Sequence, residues 1–282
     1  MPIRNAPVWL ASIALCLTAL IYVPGLAGGF VYDDMSFIVG NPAIKITSLS
    51  FSDWAAAALS FPAGTHQGRW LTMLSFAANH YFSGLDPSWF KLTNVCIHLL
   101  NGVLLLLALR ALFSLVREAR PTGDRIYSFD PGIAAANIAG LWLVLPINLT
   151  AVLYVSQRLE SLSNLFVFLG LWWYLRARLA HWRGERGAGG LWLSLLACTL
   201  IGTLAKESAV LLPLYAFCVE FTVTRARTRD GAWSRPVLAL YACVLALPLI
   251  CGLIWLAGWN HGAQTYGRSF DVVERVLTES RV

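Results

Sequence analysis

The chain has 282 residues, of which 57% are hydrophobic and 13% charged, and a mean hydropathy of +0.63. Such a balance excludes a disordered chain, a secreted disulfide scaffold and a soluble nucleic-acid binder, and it points to a membrane protein. The formal net charge of +6 reads either as a patch for an acidic partner or as loop charge that orients a helical bundle, and its distribution separates the two.

Seven stretches are apolar enough to be read as spans. Arg4 precedes the first, about Val8 to Leu26, which resembles a signal peptide but is too long for one and is read as an uncleaved anchor. A connection of about 65 residues, Ala27 to Lys91, follows, far longer than a link between helices needs. Trp54, Phe61, Leu71, Phe76 and Phe82 give this loop one or two short amphipathic helices lying along the bilayer. The other spans run roughly from Leu92 to Val116, Gly132 to Tyr154, Ser161 to Leu179, Leu191 to Leu204, Ser208 to Thr224 and Val237 to Trp259. The expected fold is an all-α polytopic membrane protein of about seven transmembrane helices, one module over residues 1–282, with the first outer loop at 27–91 and an outer tail at 259–282.

With the N-terminus inside, the inner segments hold 13 basic residues against 6 acidic ones, net +7, and the outer segments hold 8 against 9, net −1. The positive-inside rule therefore accounts for the excess charge. The inner loops, RARLAHWRGERGAGG and RARTRDGAWSRP, read as topology devices with no phosphate-cradling pattern. All six cysteines fall in apolar runs, away from any CxxC or metal-ligand spacing, and read as buried small hydrophobes.

Chemistry is then expected on the outer side. Asp33 and Asp34 follow the first span at headgroup depth, where an ionised carboxylate costs about a few kcal/mol unless it meets water, a cation or a partner. They read either as functional acids or as the cap of a following helix. Asn94, His98 and Asn101 share one face of the second span, which suits either interhelical hydrogen bonding or a site. Arg158 with Glu160, and Lys206 with Glu207, stand at two further outer helix ends, so that a bundle would gather them with Arg69 into one polar cavity. Transfer of a group from a lipid-linked phosphate suits this set: cations stabilise the departing phosphate and a carboxylate activates a hydroxyl acceptor. Two adjacent carboxylates could also hold Mg²⁺ or Mn²⁺, although phosphate neutralisation by Arg and Lys makes a metal unnecessary.

The segments GGFVYDDMSFIVGNP, GRWLTMLSFAANHYFSGLDPSWFKLTNVCIHLLN, LPINLTAVLYVSQRLESLS, LAKESAVLLP and FDVVERVLTESRV, in this order, resemble the membrane part of the GT-C glycosyltransferases. Closest in pattern are the transmembrane and tetratricopeptide-repeat O-mannosyltransferases and their bacterial relatives, which are similar to the protein O-mannosyltransferases. The resemblance implies a seven-helix GT-C-like core whose first outer loop carries an acidic pair. Asp33 matches the base or acceptor-orienting acid, with Asp34 beside it. Arg158 matches an arginine placed on the lipid phosphate, Lys206 and Glu207 match a Lys-Glu segment, and Arg69, Asn94 and His98 match further motif positions. The chain departs from the pattern at Trp70, where a proline is usual, at Leu145, where His precedes Pro146, and at Glu160, where Asp is usual. Because the family continues beyond the last of these segments, the sequence reads first as a part of a longer protein, and otherwise as a minimal core that needs a partner for acceptor binding.

The resulting expectation is a bacterial inner-membrane glycosyltransferase that moves a sugar, with inversion, from a polyprenyl phosphate to a hydroxyl of a protein or glycan on the periplasmic face. Asp33 and Asp34 are its catalytic pair, and Arg69, Asn94, His98, Arg158, Glu160, Lys206 and Glu207 bind substrate. Its partners are the lipid-linked sugar, the acceptor and the bilayer, with no nucleic acid. A lipid-linked sugar transporter and a non-catalytic assembly subunit are the alternatives.

Overall fold

A computed structural model describes residues 5–61, 68–119 and 129–258, with side chains to residue 252. The tail at 259–282, and with it the FDVVERVLTESRV segment, lies outside the described residues. The chain divides into two units, residues 1–240 and 241–282.

Within the described residues the first unit is helical, apart from turns and one isolated bridge between Arg227 and Trp233. Helix α1 (Ala6–Tyr22) begins with Pro7 in its first turn and passes into a 3₁₀ segment, Val23–Ala27, at Pro24. The outer loop folds as a π-helical turn (Met35–Val39), a 3₁₀ turn (Pro42–Ile44), α2 (Phe51–Ala58) and α3 (Trp70–Ser83). Gly84, at φ 60°, stops α3 while its N–H closes onto the His80 carbonyl, a conformation that a side chain would strain.

Helix α4 (Pro87–Ala119) is the long central rod. Pro131 and the Asp130 cap, which accepts the N–H groups of Gly132 and Ile133, start α5 (Pro131–Val144). Leu145 is extended because Pro146 follows it, and this breaks the expected third span into α5 and the short α6 (Asn148–Leu153). Helix α7 (Arg158–Trp182), α8 (Ala188–Thr203), α9 (Leu212–Val223) and α10 (Arg235–Tyr241) complete the unit. The second unit contributes a π-helical turn, Ala242–Ala246, and α11 (Leu247–Gly258).

Three helical stretches are long and apolar enough to cross a membrane: Ala6–Ala27, Pro87–Ala119 and Arg235–Gly252. Helices also stand at the other four expected positions, but α5 and α8 are shorter, and α7 carries Arg158, Glu160, Arg176 and Arg178 within its length. Helix α4 packs on α1, α5 and α7, and α7 packs on α8 and α9. Gly102 lets Leu143 of α5 press on α4, and Gly170 admits Leu212 and Cys198 against α7.

Two features differ from the sequence expectation. The outer loop does not simply lie along a surface. Ile38, Ile44, Ile46, Ala57, Met73, Phe76, Phe90 and Val155 form a core of its own, with Trp54 and Phe61 packed on it, while Phe51 and Phe82 remain outside. The cysteines are free thiols, but only Cys198 is buried; the other five sit on outward helix faces that bilayer contact would cover.

Candidate active site

The two adjacent acids have opposite fates. Asp34 is fully buried, and its carboxylate accepts the N–H of Ser156 at 2.7 Å and of Val31 at 3.1 Å. It therefore ties the loop to the start of α7, and its charge acts on Lys91 and Arg158. Asp33 is exposed, and among the described residues its carboxylate accepts no hydrogen bond. Its backbone is held instead. The Asp33 N–H donates to the Tyr154 hydroxyl at 2.9 Å, and its carbonyl accepts from the Ser36 hydroxyl and from the N–H groups of Ser36 and Phe37. Tyr32, just before it, has φ 45°, a left-handed conformation that costs a non-glycine residue about 1–3 kcal/mol. The turn thus holds one acid inward as a lock and presents the other outward. The two carboxylates therefore do not face a common point as an open pair: each Asp34 oxygen already accepts a backbone N–H.

Arg158 lies deeper than its place at a helix end suggests. Its guanidinium is fully buried, donating to Asn94 Oδ1 (2.7 Å), Asn79 Oδ1 (2.6 Å), the Phe90 carbonyl (2.8 Å) and the carbonyl and hydroxyl of Ser75, with Phe76 4.8 Å from its carbon centre. These bonds join α3, α4 and α7, so the arginine is a tie inside the protein and not a cation open to a phosphate. Asn94 completes that tie and also donates to the Val155 carbonyl.

His98 is likewise structural: one ring nitrogen lies 3.0 Å from the Leu143 carbonyl, an acceptor freed by the break at Pro146, and the ring sits between Tyr22 and Trp142. Asn101, one turn on, donates to the Ser161 carbonyl. The polar stripe of α4 therefore bonds the backbone of its neighbours, and the substrate-binding role expected of Asn94 and His98 does not follow from where they lie.

The remaining residues do converge. Arg69 makes a bidentate pair with Glu207, at 2.8 Å for the shorter contact, and Lys206 pairs with Glu160. Ser208 donates to the other oxygen of Glu160, and Ser163 bonds Ser208 and the Lys206 carbonyl. Backbone contacts bring the parts together: the Leu71 N–H donates to the Leu204 carbonyl and the Thr72 hydroxyl to that of Ala205. Lys206 is extended, which turns its side chain out of the break between α8 and the 3₁₀ segment Glu207–Leu211. Burial raises the affinity of Glu207 for a proton, but its own N–H, the Arg69 guanidinium and the charges of Arg69 and Lys206 together hold its carboxyl below the ordinary range.

Sequence reasoning passed over Tyr154, which fixes Asp33, and Lys91, whose ammonium donates to the carbonyls of Gly25 and Gly28. A lysine at the edge of a long apolar run was the available signal for the second. Ser75 and Asn79 carried none, because a polar face on a loop helix is ordinary.

No family model matches the chain, and no solved structure matches it. Among curated proteins, however, several relatives share one description. The chain is similar to the protein O-mannosyl-transferases. It is 30% identical over 172 residues to TMTC2 of Mus musculus, covering 59% of this chain and 18% of that protein. It is 27% identical over 176 residues to TMTC4 of Mus musculus, covering 61% and 23%. It is 27% identical over 263 residues to Tmtc1 of Drosophila melanogaster, covering 86% and 28%. The chain thus spans less than a third of the length of these relatives.

Proposed function

We propose that the protein is a membrane glycosyltransferase of the GT-C type, its seven helical positions all crossing the bilayer, that transfers a sugar from a polyprenyl-phosphate donor to a hydroxyl on the periplasmic face of a bacterial inner membrane. The observation that carries this reading is the presentation of Asp33: among the described residues its carboxylate has no hydrogen-bond partner, while its backbone is fixed by Tyr154 and by the strained turn at Tyr32. Such an acid can take the proton of an acceptor hydroxyl as its oxygen attacks the anomeric carbon. The bond from that carbon to the phosphate oxygen breaks, the lipid phosphate leaves, and attack from the opposite side inverts the configuration.

The departing phosphate needs positive charge, and Arg69 and Lys206 supply it. Each keeps a minority of its side chain exposed, 14% for Arg69 and 23% for Lys206, and their partners Glu207 and Glu160 keep them aimed and can yield them to a stronger anion. Tyr154, which holds Asp33, is the extended residue just before the helical stretch on which Glu160, six residues on, holds Lys206; that stretch advances roughly 10 Å. That spacing suits a donor whose phosphate lies on the cations and whose sugar reaches the acid. Arg158 and Asn94 serve by fixing α3 against α4 and α7. The similarity to proteins named as protein O-mannosyl-transferases supports mannose as the sugar and protein as the acceptor.

The test is transfer by the full chain in proteoliposomes supplied with a radiolabelled polyprenyl-phosphate mannose and a hydroxyl acceptor. Labelled acceptor is expected, and Lys206→Met with Arg69→Met is expected to lower turnover by about 100-fold. Label that crosses the bilayer without an acceptor would favour a transporter instead, and lipid binding without transfer would favour an assembly subunit.

A further inference from the structure

At the far end of α7 from the candidate active site, a groove of about 440 Å³ opens between α7 and the start of α8, lined by Trp172, Trp173, Arg176, Arg186, Gly187 and Gly190. We propose that it binds the phosphate of an anionic membrane phospholipid. The depth comes from helix geometry: from Glu160 to Arg176 is 16 residues along α7, roughly 24 Å at helical rise, so if α7 spans the bilayer the groove lies at the opposite boundary.

Its chemistry matches that boundary. Two tryptophans face a level where indole rings collect, and Arg176 lies 5.5 Å from the Trp172 ring. Arg176 and Arg186 are exposed, and among the described residues neither pairs with a carboxylate. Of the nearby acids, Glu118 is bonded to Arg183, and Glu185 makes no ion pair with Arg176 or Arg186 among the described residues. Two exposed guanidinium groups beside an indole wall form a site for a phosphate at its head and apolar surface for a chain below. Space for it exists because α8 begins at glycines; a side chain at Gly187 would strike the Ala177 carbonyl and one at Gly190 the Ala177 methyl.

The site is independent of sugar transfer, and its test reads lipid, not activity. Native mass spectrometry of the full chain, released from nanodiscs of phosphatidylcholine and phosphatidylglycerol in equal parts, is expected to show retained phosphatidylglycerol. The double variant Arg176→Gln, Arg186→Gln is expected to lose that retention by about tenfold or more, and Arg176→Lys with Arg186→Lys to keep most of it. Added inorganic phosphate at millimolar level is expected to leave the lipid in place; displacement would assign the groove to free phosphate and overturn the lipid reading. Equal retention by the glutamine variant overturns the site itself. Should that variant misfold, Arg176→Gln and Arg186→Gln singly read the same preference, and no change in either counts against the proposal.

Discussion

Two neighbouring carboxylates with opposite surroundings give the sharpest test at the scale of single residues. Replacing Asp34 by Ala leaves the buried N–H of Ser156 without an acceptor, at about 1–3 kcal/mol, and removes the part-buried bond from the Val31 N–H as well. Thermal unfolding in detergent should show that loss, whereas Asp33→Asn should shift stability by no more than about 0.5 kcal/mol, since its carboxylate bonds nothing among the described residues. The sequence singled out this pair but had no means of telling its members apart, because adjacent residues in a turn diverge only once the turn has its shape. The same holds for Arg158. Its position at a helix end suggested an open cation, and only the approach of Asn79 and Ser75 from α3 makes it a closed one.

Secondary-structure elements were more legible. Six of the seven expected spans correspond to helices within a few residues, since long apolar runs admit little else in a bilayer. The exception is the third, where Pro146 ends α5 early and frees carbonyls that His98 and Asn148 then satisfy. His98→Ala should therefore destabilise the protein by about 1–3 kcal/mol, with donor KM unchanged in the fraction that folds. A pH dependence belongs to this scale as well. The Glu207 carboxyl is held below its ordinary range, so the tie from α3 to the loop after α8 contributes above the unfolded pKa of a glutamate and is lost as pH falls through the lower, folded value. Thermal unfolding between pH 6 and about 3 should show a falling midpoint, and Glu207→Gln should flatten that part of the curve.

Across the whole molecule, polar ties hold both ends of the bundle in the first unit. At one end stands Arg158. At the other, the buried Arg178 forms a bidentate pair with Glu220, to which Tyr174, Thr224 and the Ala226 N–H also donate. Composition had assigned Arg178 to loop charge, since a positive-inside count cannot see that one arginine of several turns inward. Removing one partner strands the other charge, and Glu220→Gln should cost about 3–5 kcal/mol, measured as a fall in the unfolding midpoint in detergent. Between these ties the bundle fixes the outer helix ends on which the proposed chemistry rests. The most direct test of that chemistry is the rate of sugar transfer by Asp33→Asn beside Asp34→Asn, each corrected for its folded fraction. The account predicts that Asp33→Asn abolishes turnover in a stable protein while Asp34→Asn retains measurable transfer in what folds. Undiminished transfer by Asp33→Asn would contradict it.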